Sequence, residues 1–189
     1  MLMRRKYRNS NENGASMVEI LCVLAFVGIV TLGALAAYSK IMSKFKTTQA
    51  INQAQHVMKS LSTYFAAYRQ YPVISAEKIY RLGFLGDESY DATNHSTMHP
   101  FGGLITFSTA DDGKMYSFQY DTLPVSACVA MATMDINVTN LYSITVGTAA
   151  AHLYPDTGVD YDASRHLPYD VGAAITDCAT EGKIKWTFL

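Results

Sequence analysis

The 189-residue sequence predicts an α+β fold: a long N-terminal α-helix, part membrane span and part amphipathic, packed on an antiparallel sheet of about four strands. Three observations carry that expectation. Ile20–Tyr38 is an apolar run with no charged residue, close to the roughly 20 residues that cross a bilayer. Beyond it, Ile41, Phe45, Ile51, Ala54, Met58, Leu61, Phe65 and Tyr68 recur mostly at three- to four-residue steps, and Lys44, Gln49, Asn52 and Gln55 fill the other face. The second half then breaks into short alternating stretches separated by turn formers.

Charge sets the N-terminus apart. Residues 1–14 carry Arg4, Arg5, Lys6 and Arg8 against Glu12, a net of +3, whereas the whole chain is at −1. That overall balance gives no sign of bulk nucleic-acid binding. A basic run before an apolar run suggests an export signal, but the details differ from an ordinary secretory one. The apolar run is too long, and the small-residue junction Gly14-Ala15-Ser16 precedes it. A positive flank at residues 4–8 predicts a cytoplasmic N-terminus with the remainder exported.

Glu19 sits near the start of the apolar stretch, where a carboxylate needs a partner. A cut between Gly14 and Ala15 would create an α-amino group four residues away. That amine could also come from a neighbouring copy; the plain alternative is a carboxylate solvated among headgroups.

The helical signal continues without Pro or Gly from Ala34 to Tyr71, and Pro72 stops it. A helix from about Ala15 to Gln70 would run roughly 80 Å at 1.5 Å per residue. Tyr64, Tyr68 and Tyr71 are expected to cap its packing on the head. Residues 71–103 read as a connecting region, with a short helix at Ala76–Leu85 ended by Gly86 and little periodicity after it. His95 and His99 have a metal-like spacing there, but the segment does not read as a helix.

Residues 104–189 read as the head. Leu104–Ser108 and Lys114–Tyr120 flank "TADDG" as a hairpin, Val125–Met134 is expected to be a helix after Pro124, and Leu141–Val146 and Lys183–Leu189 alternate as strands. Residues 148–177 read as a long irregular excursion. Of three cysteines, Cys22 lies in the apolar run. If the head is exported, Cys128 and Cys178 are the disulfide candidates; otherwise they are two unrelated buried thiols.

"GASMVE", Gly14 to Glu19, between a basic leader and an apolar helix, resembles the class III signal of type IV pilins and pseudopilins. The resemblance covers Arg4 to about Tyr38. It implies a type IV pilin fold, and the Ala15 start, the 14-residue leader and Pro100-Phe101-Gly102-Gly103 resemble the type IVb branch. It further implies that prepilin peptidase cleaves after Gly14 and that Ala15 is methylated. Glu19 would neutralise the N-terminus of an adjacent subunit during assembly. Residues 1–14 would then be the leader, 15–38 the transmembrane and filament-core helix, and 39–70 its amphipathic continuation, with 128–178 a disulfide-bounded interaction region. The partners implied are further copies of the chain, the peptidase, the inner membrane before assembly, and the pilus platform with its ATPase; the surface receptor stays open. The precursor would be single-pass in the inner membrane and the product an extracellular pilus serving adhesion, aggregation or conjugative contact.

The resemblance also allows a minor pilin or a type II secretion pseudopilin. From another class comes a membrane-anchored periplasmic binding protein that never polymerises. Tyr154, Tyr161 and Tyr169 are the candidate exposed contacts. Asp156, Asp160 and Asp162 could gather oxygens around Ca²⁺ without matching an EF-hand, and His152, His166 and Asp170 could pair. No Walker loop, zinc spacing, dinucleotide fingerprint or G-x-S-x-G is present, so neither a cofactor nor catalysis is expected.

Overall fold

The computed structural model describes residues 17–68, 70–110, 113–136, 140–149, 152–153 and 167–189. It divides into two units, residues 1–42 and 43–189.

The described part of the first unit is helical. It is the start of α1, Met17–Phe65, a helix of 49 residues. Its apolar side chains from Met17 to Tyr38 are exposed on every face, Phe26 and Leu32 by about 70% each (68% and 71%). Thr31 and Ser39 donate their hydroxyls to the backbone oxygens of Val27 and Ala36, at 2.7 and 2.9 Å. Such back-bonding lets a hydroxyl sit in an apolar medium without a stranded donor. Among the described residues, α1 is the one helix long and apolar enough to cross a membrane.

The second unit holds the core. From Ser43 on, α1 buries Ala50, Ala54, Val57, Met58, Leu61 and Phe65, a one-sided stripe at helical spacing. Ile41 and Phe45, read from the sequence as part of that stripe, are 67% and 56% exposed. The helix stops at Phe65, short of the expected Gln70. The Tyr68 amide bonds Phe65 O at 2.9 Å, and the Tyr71 amide bonds Gly113 O at 2.6 Å. The turn carries the Tyr71 ring onto Tyr116, 4.9 Å between centroids at 82°. Gly113 has φ +84°, and a β-carbon there would meet Tyr71 O at 2.9 Å, so this close approach requires glycine.

Among the described residues the sheet has seven antiparallel strands in the order β1-β2-β3-β4-β7-β5-β6, rather than about four. Four match the expected strands: β3 Leu104–Ala110, β4 Met115–Tyr120, β5 Leu141–Val146 and β7 Ile184–Phe188. Three short ones were illegible: β1 Tyr90–Asp91 and β2 Ser96–Met98, within the expected connector, and β6 His152–Leu153. Two or three residues cannot show a period of two; pairing with an existing edge makes them strands. The C-terminal β7 inserts between β4 and β5, pairing Trp186 with Phe118 on one side and Ile144 on the other. Its core-facing Ile184, Trp186 and Phe188 are fully buried. At roughly 1.5–3 kcal/mol per large apolar side chain, this strand is a main contributor to head stability.

Short helices complete the head: α2 Ala76–Arg81, capped by Ser75, α3 Val125–Ala132, and α4 Val171–Thr180. α4 corrects the expectation of an irregular segment to residue 177. Asp170 caps it by accepting from the Ala173 amide at 2.9 Å, and Ala174 and Cys178 form its buried face. Only two inward side chains in ten residues left too little periodicity to read.

Candidate functional site

The candidate residues are spread along the chain. Glu19 lies in the first turn of α1, exposed among apolar neighbours. There its charge opposes the partial positive charge of the helix N-terminus, a favourable placement worth up to about 1 kcal/mol. Gly14 and Ala15 lie outside the described residues. Cys22 is a free, exposed cysteine.

In the head, Cys128 on α3 and Cys178 on α4 form a disulfide, with Cα atoms 5.8 Å apart and a sequence separation of 50. Both are buried. The bridge ties the two helices together and makes one covalent loop of the segment between them.

The tyrosine candidates divide. Tyr154 and Tyr161 lie outside the described residues. Tyr169 is corrected: it is 4% exposed, and its hydroxyl donates to Asp177 Oδ2 at 2.7 Å. Burial, then the Asp177 carboxylate, push its pKa up, so the phenol stays protonated. The chain needs an anchor just before α4, and an aromatic with one polar tip meets that need.

Asp156, Asp160, Asp162 and His166 also lie outside the described residues, and Asp170 is spent on the α4 cap. His95 and His99 are not brought to a common centre. The Tyr90 hydroxyl meets His95 Nδ1 at 3.0 Å, whereas His99 Nε2 reaches Asp121 O at 2.6 Å. Among the described residues, no group of three His, Cys, Asp or Glu could hold a metal ion.

Two polar residues that hold the head together carried no sequence signal. Gln53 on α1 accepts from the Tyr120 hydroxyl at 3.1 Å and donates to Ser89 Oγ at 2.8 Å. Asn140 accepts from Ser62 Oγ at 3.1 Å and donates to the Tyr116 hydroxyl at 3.1 Å and Leu189 O at 3.2 Å. Each ties α1 to the head through partners 24 to 78 residues away, which no local pattern encodes. Burial is the main cause that drives the Tyr116 and Tyr120 pKa values up, so both hydroxyls remain donors or acceptors throughout the ordinary pH range.

The Bundlin family model matches residues 42–188, from within α1 to the end of β7. The chain belongs to the Bundlin family. Among curated relatives, the major structural subunit of bundle-forming pilus from Escherichia coli O127:H6 (strain E2348/69 / EPEC) is 24% identical over 137 residues, 71% of this chain and 69% of that one. The subunit from Escherichia coli O111:H- matches to the same extent. The crystal structure of type IVb pilin from Salmonella typhi is similar with a TM-score of 0.51 at 16% identity, covering 74% of this chain and 95% of that one. That likeness speaks to the fold: a long helix on an antiparallel sheet is the type IV pilin architecture. The Bundlin match begins at residue 42, so it is independent of the "GASMVE" signal from which the pilin resemblance was read.

Proposed function

We propose that this chain is the structural subunit of a type IVb-like pilus, made as a membrane-anchored precursor and polymerised into an extracellular filament. One observation carries the reading most strongly. A head of the Bundlin family continues from a helix whose first stretch exposes apolar side chains on every face. Such a surface is stable only in lipid or against other helices. A subunit that moves from membrane to fibre meets both in turn.

In the proposed route, prepilin peptidase removes residues 1–14 and leaves Ala15 as a methylated N-terminus. Residues 15–38 hold the precursor in the inner membrane, and the platform and its ATPase extract it. Glu19 then pairs with the Ala15 amine of a neighbouring copy. A buried ion pair adds little net stability but penalises every register that leaves the carboxylate alone. Glu19 therefore acts in register selection, and apolar burial between helices supplies the drive.

The test has two parts. Intact mass and terminal sequencing of the membrane-extracted protein should give a methylated Ala15 start. An uncut chain in cells holding the peptidase would favour the anchored binding protein. Abundance of the chain in sheared surface filaments separates the major subunit from a minor pilin or pseudopilin.

A further inference from the structure

The turn between β2 and β3 contains a histidine that the assembly chemistry does not use. His99 is 3% exposed. Its Nε2 meets a carbonyl, Asp121 O, at 2.6 Å, so that nitrogen must carry the proton and donate. Its Nδ1 accepts from the Phe101 amide at 3.2 Å, so that nitrogen must be bare. The ring stacks on Tyr120, 5.4 Å between centroids at 17°. Two backbone bonds close the same turn: His99 N–H to Gly103 O at 3.0 Å and Gly102 N–H to His99 O at 2.7 Å. A β-carbon on Gly103 would collide with Asp121 O, Thr122 Oγ1 and the His99 ring, so the seat admits only glycine.

The arrangement is stable for one protonation state. A proton on Nδ1 would set two donors face to face and place a cation in a buried seat. The ring also has somewhere to go. His99 is among the residues that line a cleft of about 540 Å³, with Gln53, Ser89, Met98 and Glu88. We propose that His99 is an acid-operated latch holding the β1–β2 hairpin on β3: protonation moves the ring into this cleft, toward the Glu88 carboxylate, and opens the 99–103 turn. β2 pairs with β3 at Thr97–Ile105 and Met98–Leu104, directly beside the latch, with the Thr97 hydroxyl donating to Ile105 O at 2.8 Å, so the end of the hairpin next to the turn is the part released.

The groups around the ring set the direction. Asp121 faces it from the end of β4 and favours the cation, Tyr120 lies against its face, and Glu88 and His56 line the cleft. Burial outweighs Asp121 and lowers the imidazole pKa. The stability held by neutral His99 is therefore complete above the ordinary value of about 6.5 and is lost as pH falls below it, toward the lowered folded value.

The test uses the full chain in detergent micelles. Imidazole nitrogen resonances are followed on titration, and amide exchange, corrected for intrinsic rate, is compared at about pH 7.5 and about pH 5, either side of the ordinary value. His99 should show the Nε2–H tautomer at the higher pH. Protection of the Phe101 and Gly102 amides should fall several-fold at the lower pH, while β4 and β7 stay protected. His99→Gln should be flat across the same interval, and Glu88→Gln should reduce the loss. Equal loss across the whole head, or in His99→Gln, would overturn the latch. If His99→Gln does not fold, the wild-type titration decides: local opening tracking the His99 resonance supports the latch, and a protonated ring with a closed turn sinks it.

Discussion

Asn140 shows how much one side chain can hold. It touches α1 through Ser62, β4 through Tyr116 and the C-terminus through Leu189, whose amide also bonds Asn140 O at 2.9 Å. Asn140→Ala should lower head stability by about 2–3 kcal/mol, because partly buried partners lose their bonds together. Urea unfolding with unchanged slope checks this; a change under 0.5 kcal/mol, the size of a surface effect, would contradict it. Glu19 lies at the opposite extreme, because its proposed role in register needs a neighbouring copy. Glu19→Ala or Glu19→Val should leave membrane insertion and cleavage intact and reduce filament incorporation at least several-fold. Quantifying mutant subunits in sheared filaments tests this, and normal piliation would refute the register role. Gly14, Ala15 and Glu19 could be proposed from the sequence because the pilin-like signal is a short linear stretch. Tyr169 was misread because its burial depends on Asp177 and the helix that follows.

Elements were legible in proportion to their length. The long helix announced itself through an apolar run and then a 3.6-residue stripe. The strands of five to seven residues were read from alternation to within a few residues, whereas β1, β2 and β6 exist only because a neighbouring strand offers an edge. α4 is held by its Asp170 cap and by the bridge at Cys178. Asp170→Ala should cost about 1 kcal/mol, the usual worth of an N-cap. Removing the bridge with Cys128→Ser and Cys178→Ser should cost about 4 kcal/mol in the loop-entropy account of a 50-residue loop. Chemical denaturation of oxidised and bridge-free chains measures the second. If the midpoint did not move, the bridge would be a local clamp without effect on the unfolded chain.

At the scale of the molecule, the two units differ in what they do with apolar side chains: the described part of the first exposes them and the second buries them. The head core begins at Ala50 and closes within residues 43–189. A chain beginning at Ser43 should therefore fold alone, stay in aqueous solution and melt cooperatively, while the longer chain partitions into detergent. Circular dichroism and sedimentation would check both, and a head that fails to fold would show that the apolar stretch stabilises it directly. By itself the sequence determined the helix, the pilin resemblance and the four principal strands. Each of these is a local pattern of hydropathy, charge or turn chemistry. Tertiary structure alone decided the central place of β7, the extra strands, α4, the burial of Tyr169, the Gln53 and Asn140 ties and the His99 seat. These depend on residues far apart in the chain, such as Ser62 with Asn140, meeting at hydrogen-bond distance. No period in the sequence encodes such meetings; packing and the satisfaction of buried polar groups do.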